Sequence, residues 1–303
     1  MSIKTLIAVV VAVVSSSGAA RAGCILEGLH LSGGGVMATY DVFSPSDLVA
    51  PLRSTEAGKP ECANALIQVR IEPDGLASFQ RSDDLELTNG SQSLSARIAD
   101  RAGARTVNAL NTASQALVFR LNGAGGMSSG DLSLVVPRGQ RVAPGSYVAN
   151  FRIVVESLDD QGAVSNQGET FASAAVYVEP AVGLSASWGT ELDLGRLKAG
   201  GRAREPLAFR AYANAPYEIH LRSDNGFGLV RGEGASKSVV PYNPVLSGEL
   251  LSSGSVRSRS FSTPEKPGYR DHALDIEVPS FPAQPAGEFR DYITVEIRAL
   301  VTG

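Results

Sequence analysis

Apolar and polar residues alternate along most of the chain, in short runs separated by clusters of Gly, Pro, Asn and Asp. Alternation with a period of two is typical of β-strands with one buried face. In the first half it predicts strands at residues 65–73, 115–123, 131–137, 146–156 and 171–180. Residues 94–102 fit either one or two helical turns or a short strand with a loop.

The second half has the same alternation. It predicts strands at residues 190–197, 205–213, 216–224, 238–248, 272–281 and 292–301. The segment 238–248 contains two prolines, so we expect an edge strand or a strand flanked by loops. Residues 252–271 are polar and predict a flexible connection. Because no stretch after the first 22 residues has a long helical period, the predicted fold class is all-β.

Two segments of the chain resemble each other, at residues 143–156 and 285–303. Each has a Pro/Gly turn followed by a strand with inward residues at a period of two. Aligning Gly145 with Gly287 matches Tyr147, Phe151, Ile153 and Val155 with Phe289, Ile293, Val295 and Ile297. The repeat predicts two related β-sandwich domains in tandem, with a boundary near Glu179–Ala181, so that residues 23–180 and 181–303 are the two domains.

The two repeated strands differ in the length of chain after them. The first is succeeded by a predicted loop, 157–169, and a further strand, 171–178, whereas the second is succeeded by no further strand before Gly303. We therefore expect the second sandwich to lack its last strand and to accept one from another chain. The open groove would be lined by apolar residues of its last and first strands, namely Phe289, Ile293, Val295, Ile297, Leu192, Leu194 and Leu197.

The first 22 residues have the layout of a secretory signal peptide. Lys4 precedes an apolar run of about ten residues, and Ala20–Ala22 gives a small-residue cleavage site. The run is shorter than the ~20 residues that a membrane span needs, although a membrane anchor remains the alternative. Export favours a disulfide between Cys24 and Cys62, with two buried thiols as the alternative.

Composition and motifs exclude several functions. The net charge is −4, which gives no basis for binding nucleic acid or an anionic membrane. The three histidines, His30, His220 and His272, have no spacing typical of a metal site or a catalytic triad. The sequence therefore predicts neither an enzyme nor a cofactor site, and the glycine-rich stretches 31–36 and 121–130 fit flexible loops.

Several motifs, taken in order, resemble a known family. LDLGRL, PYEIHLRSDNG, VPYNPVLSG and the closing PAGEFRDYITVEI make residues 181–303 similar to the spore coat protein U-type domain of archaic chaperone–usher pilus subunits. The first half resembles the family more loosely, through CILEG, YDVFSP and PGSYVANFRIVV. Residues 181–303 depart from the family in having no cysteine pair.

The resemblance implies an immunoglobulin-like sandwich that lacks its last strand. A periplasmic chaperone would lend this strand, and at the outer-membrane usher the N-terminal segment of a neighbouring subunit would replace it. Family subunits carry that donor segment ahead of their first cysteine, but here Cys24 comes almost directly after the predicted cleavage site. We therefore expect a two-domain adhesin at the pilus tip, with residues 23–180 binding a host or abiotic surface during adhesion and biofilm formation.

If the strands 146–156 and 171–178 form an antiparallel hairpin, its loop suggests where a surface would bind, with ordinary loop packing as the alternative. The loop 157–169 would lie at the pole far from the domain junction, with Leu158 and Val164 as its apolar residues. The glycine-rich loops around Met37 and Met127 would join it. Two alternatives remain, a structural subunit of the same pilus and a secreted enzyme or carbohydrate-binding module whose second sandwich is complete.

Overall fold

A computed structural model describes residues 36–52, 60–73, 85–100, 106–107, 117–125, 132–186, 191–232, 237–251, 254, 256–265 and 268–300. Within these ranges there are twenty β-strands and one short 3-10 turn, Pro60–Cys62. The all-β prediction is confirmed. The predicted signal peptide, 1–22, lies outside the described residues.

The strands are β1 (Val36–Tyr40), β2 (Leu48–Pro51), β3 (Leu66–Pro73), β4 (Leu85–Asn89), β5 (Gln92–Asp100), β6 (Thr106–Val107), β7 (Leu117–Arg120), β8 (Leu132–Val136), β9 (Gly145–Leu158), β10 (Val164–Val178), β11 (Val182–Ala186), β12 (Leu207–Ala213), β13 (Tyr217–Ser223), β14 (Gly228–Arg231), β15 (Ser238–Pro241), β16 (Asn243–Leu246), β17 (Glu249–Leu250), β18 (Val256–Phe261), β19 (Tyr269–Glu277) and β20 (Ile293–Ala299).

The described strands form two sets that do not pair with each other. Strands β1 to β10 make one connected network. Strands β11 to β20 make three sheets, in the orders β11-β12-β19-β16-β17, β18-β13-β20 and β14-β15. Each set surrounds its own buried apolar cluster, one between Tyr40 and Val178 and the other between Phe209 and Val278. The division into two sandwich domains, residues 23–180 and 181–303, stays a prediction.

The longest strand pair of the first set is the antiparallel hairpin β9–β10. The sequence predicted a loop at 157–169, but only residues 159–163 form the turn, so that prediction is wrong. Most of residues 164–169 are polar, yet they are part of β10. The hydroxyls of Ser157 on β9 and Ser165 on β10 lie 2.7 Å apart. The carboxylate of Asp159 accepts two backbone N–H bonds, of 2.9 and 2.7 Å, which close the turn.

The last strand of the first set comes from its own chain. β10 pairs with β9 on one side and, in parallel, with β1 on the other. Ala174, Val176 and Val178 are buried, whereas Phe171 and Tyr177 are exposed, which confirms the predicted alternation. The first sheet therefore needs no external strand beside β9.

The second set begins differently from the prediction. Its first described strand is β11, and residues 191–197 form no strand. Gly195 adopts a left-handed conformation with φ +58, and its N–H donates to the Asp193 carboxylate at 2.7 Å. This turn interrupts the extended chain, although Leu192, Leu194 and Leu197 still pack against the second core.

The polar segment 252–271 is not wholly a flexible connection, because it contains β18, which pairs with β13. Arg257 and Arg259 lie half-buried on the inner side of β18. Their guanidinium groups stand over the rings of Phe227 and Phe261, at 4.1 and 5.0 Å from the centroids. The aliphatic stems of arginine can cover apolar surface while the head groups find polar partners, so two arginines take the place of inward apolar residues.

A short connection between the two sets is fixed by one amide side chain. The Asn214 side chain accepts a bond from Ala181 N–H at 2.7 Å and donates to the Glu179 carbonyl at 2.9 Å. Asn214 is buried. Asn214 therefore ties the connection to the loop between β12 and β13.

Candidate strand-acceptor edge

The final described strand, β20, has a hydrogen-bonded neighbour on one side. It pairs antiparallel with β13 over its whole length, from Ile293 opposite Ser223 to Ala299 opposite Tyr217. In the described part of the chain no strand pairs with its other edge. β11, one of the two edge strands of the five-stranded sheet, approaches β20 without pairing with it. An unpaired strand edge offers backbone N–H and C=O groups to an added strand.

The inward side chains of β20 are incompletely covered. Ile293, Val295 and Ile297 pack against the second core but are only half-buried. On the neighbouring strand β13, by contrast, Ile219 and Leu221 are fully buried, with 0% exposure. The difference places the uncovered apolar surface along the free edge of β20.

More half-buried apolar side chains pack against the same core. All seven residues that the sequence predicted as groove lining do so, including Phe289 and the three leucines of 191–197. Sequence reasoning missed Val182, Leu207 and Phe281, which have the same environment. Val182 belongs to β11, where Val182, Leu184 and Ala186 recur at a period of two. This alternation could have indicated a strand at the start of the second set.

The start of β20 is fixed by the carboxylate of Asp291. It accepts hydrogen bonds from the hydroxyls of Ser223 at 2.6 Å and Tyr242 at 2.5 Å. It also accepts from the side-chain and backbone N–H groups of Asn225, at 3.0 and 3.2 Å. Burial, followed by the Asp291 carboxylate, raises the pKa of Tyr242, so this phenol stays a hydrogen-bond donor. Asp291 therefore holds β20 in place relative to the core.

The outward face of β20 is charged. Arg298 donates two hydrogen bonds to Glu296, at 2.9 and 3.0 Å, and this pairing holds the pKa of Glu296 below its usual value. On β13, Glu218 is opposite Arg298 and His220 is opposite Glu296. Each of these two opposed pairs, which form rows across the strands, therefore brings a carboxylate beside a basic group.

The second core also contains a histidine that sequence reasoning left without a role. His272 is only 3% exposed, and its two ring nitrogens lie 2.7 Å from the Tyr217 hydroxyl and 2.8 Å from the Ser247 hydroxyl. Its ring stacks on Phe209, with centroids 5.3 Å apart, and meets Phe261 edge-on at 4.5 Å. Burial, together with the nearby positive charges of the arginines on β18 and β19, lowers the pKa of His272 to about 4.

The predicted surface-binding residues do not form one group. Leu158 and Val164 are paired at the end of the β9–β10 hairpin, and Val164 is 52% exposed. Met37 is exposed, but it lies within β1 opposite Ala175 rather than in a loop. Ala175 is separated from Val164 by about 36 Å of extended strand, so Met37 does not join the end of the hairpin.

Some of the other predicted residues lie outside the described ranges. Met127 and Cys24 are not among the described residues. Cys62 is fully buried in the 3-10 turn, and its disulfide with Cys24 stays a prediction.

Two properties of the described residues bear on other functions. No helix in these ranges has the length and hydropathy to cross a membrane. No group of three or more His, Cys, Asp and Glu side chains in the same ranges is arranged to hold a metal ion.

Comparison with known proteins finds no matching family and no matching curated protein. Among solved structures, the chain is similar to the CsuC–CsuE chaperone–tip adhesion subunit pre-assembly complex from archaic chaperone-usher Csu pili of Acinetobacter baumannii. The identity is 13% and the TM-score 0.46, over 87% of this chain and 98% of that chain. It is also similar to CfaE, the adhesive subunit of CFA/I fimbria of enterotoxigenic Escherichia coli, at 10% identity and a TM-score of 0.30, over 88% and 98% of the two chains. At these identities and scores, neither likeness assigns a function.

Proposed function

We propose that the chain is a subunit of a chaperone–usher pilus whose second sandwich, residues 181–303, is completed by a strand from another subunit. The observation that supports this most directly is β20, whose free edge is lined by half-buried apolar side chains. The groove comprises Leu192, Leu194, Leu197, Phe289, Ile293, Val295 and Ile297.

An added strand would stabilise this edge in two ways. Its backbone would pair with β20, and alternate apolar side chains would cover Ile293, Val295 and Ile297. Burial of apolar surface contributes about 25 cal/mol per Å², which offsets the entropy lost when the donor segment becomes ordered. Before the fibre forms, a periplasmic chaperone would fill the same edge, and the outer-membrane usher would be the site of exchange.

The finer part of the proposal is a tip position. The first domain, residues 23–180, would be the binding domain, and the second would join it to the fibre. Two features support this division. β10 is supplied by the first set itself, and the chain from Val36 onward is used as β1 beside it. These residues are therefore not available as a donor for another subunit. The protein would act at the cell surface, attaching cells to a host or abiotic surface, and would not be an enzyme.

A donor segment fused after Gly303 tests the proposal in the full chain. One fusion carries a flexible linker and a strand with alternating apolar residues, and its control replaces those residues with Asn and Ser. We expect the apolar donor to raise the Tm by more than about 10 °C, since several apolar side chains would each contribute about 1.5–3 kcal/mol on burial.

Two matched substitutions locate the effect. Val295→Asp places a charge on the inward face of β20 and should remove most of the increase, whereas Thr294→Asp, on the exposed face, should leave it. Equal Tm values for the apolar and polar donors would contradict the proposal.

A further inference from the structure

We propose that Glu296 and Arg298 favour donor strands with one particular order of charged residues, and that they thereby fix the register of the donor against β20. This inference rests on the proposed function, because it concerns the outward face of the same edge. The expected partner is a strand with a basic side chain beside Glu296 and an acidic side chain beside Arg298.

The charge pattern already present across β13 and β20 carries this inference. Arg298 is opposite Glu218, and Glu296 is opposite His220. Both charges of β20 are exposed, as is Thr294. Directly opposed side chains on neighbouring strands have Cβ atoms about 4.5–5.5 Å apart, close enough for opposite charges to attract and like charges to repel. A strand added to the free edge would extend these rows, so its outward side chains would stand beside Glu296 and Arg298.

The inward face of β20 cannot fix the register alone. Ile293, Val295 and Ile297 are similar in size and recur every two residues. A donor displaced by two residues would therefore keep most of its contacts with these side chains of β20. The same displacement would move a donor charge from the Glu296 row to the Arg298 row, where it meets a charge of its own sign. The outward charges thus penalise a slip that the apolar residues tolerate.

The order of charges also depends on strand direction. A donor antiparallel to β20 meets Arg298 first, so it would carry an acidic residue, then an inward apolar residue, then a basic residue. A parallel donor would carry the reverse order. One pair of outward charges therefore distinguishes register and direction together.

Fused donors again provide the test, because a strand attached to Gly303 through a short linker adds antiparallel to β20. The matched donor has Asp and Lys at the two outward positions in that order, and the reversed donor has Lys and Asp. We expect the matched fusion to have a Tm about 5 °C higher than the reversed fusion, from two cross-strand pairs changed from repulsion to attraction.

The chain itself supplies the complementary change. In the double variant Glu296→Arg, Arg298→Glu, the intrastrand ion pair is retained but inverted, so the reversed donor should become the more stable one. A matching inversion of the exposed pair Arg152 and Glu169, on the first set of strands, should leave the preference unchanged. The difference should also shrink in 1 M NaCl, where the Debye length is about 3 Å.

The outcomes separate this inference from the proposed function. If both donors raise the Tm equally, in the wild-type chain and in the inverted variant, then the charge inference is overturned and strand acceptance stands. If neither donor raises the Tm, both are overturned.

Discussion

The buried imidazole of His272 should make folding stability depend on pH between about 4 and 6.5. In the unfolded chain this group titrates near 6.5, whereas in the folded protein its pKa is about 4. The unfolded state therefore binds a proton more readily in this interval. The contribution to stability is complete above pH 6.5 and is lost as the pH falls toward 4.

The size of the effect can be worked out from the shift in pKa. A difference of about 2.5 pH units corresponds to about 3 kcal/mol once the lower pKa is passed, and about 2 kcal/mol of it is lost by pH 5. The hydroxyls of Tyr217 and Ser247 can each donate or accept a hydrogen bond, so they suit either neutral tautomer. Burial between aromatic rings and the charges of the nearby arginines disfavour the protonated form.

Urea unfolding of the full chain at pH 7 and pH 5 measures this difference. His272→Gln keeps a side chain that can hydrogen-bond to both hydroxyls but does not titrate, so we expect its stability loss between the two pH values to be smaller by about 2 kcal/mol. Ile219→Val is the control, since it weakens the same core and leaves His272 in place. An equal loss in wild type and His272→Gln would refute the reasoning.

Three further predictions concern other parts of the molecule. Asp291→Ala leaves buried hydroxyls without their acceptor and should lower the free energy of unfolding by about 2–4 kcal/mol, measured in urea. Asn214→Ala leaves the Ala181 N–H and the Glu179 carbonyl without this partner and should lower the free energy of unfolding by about 1–3 kcal/mol. It should also broaden the distribution of distances between spin labels placed on the two sets of strands. The pair Leu158→Ser and Val164→Ser should reduce surface attachment without reducing secretion, whereas Phe171→Ser, on the outer face of β10, should not; unchanged attachment would remove the hairpin end from the binding site.

Local alternation predicted most of the strands that carry the fold. The strands β3, β9, β10, β13 and β20 each place apolar residues on one face at a period of two, and the sequence pattern alone indicates this. β18 was missed because Arg257 and Arg259 take inward positions, which look polar in a sequence but pack over aromatic rings. The strand predicted at 190–197 was wrong because the Asp193 side chain closes a turn.

The parts of the site that depend on distant residues were harder to predict. The partners of Asp291, such as Ser223 and Tyr242, lie 68 and 49 positions away, so no local pattern indicates them. His272, by contrast, is in phase with Leu274 and Ile276 along β19, and that phase was a usable signal of burial. The alternation along β20 is confirmed, but it would be the same in a covered strand and in an open one, so the role of its apolar residues as groove lining stays a prediction.

Hydrogen exchange along β20 tests the open edge most directly. In the full chain fused to the polar control donor, the amides of residues 293–299 that point away from β13 should exchange rapidly. In the chain fused to the apolar donor, the same amides should exchange at least about tenfold more slowly, because they would form new backbone hydrogen bonds. The amides that already bond to β13 report the background change. Equal, strong protection of every β20 amide with both donors would mean that the edge is already occupied, and would contradict the account.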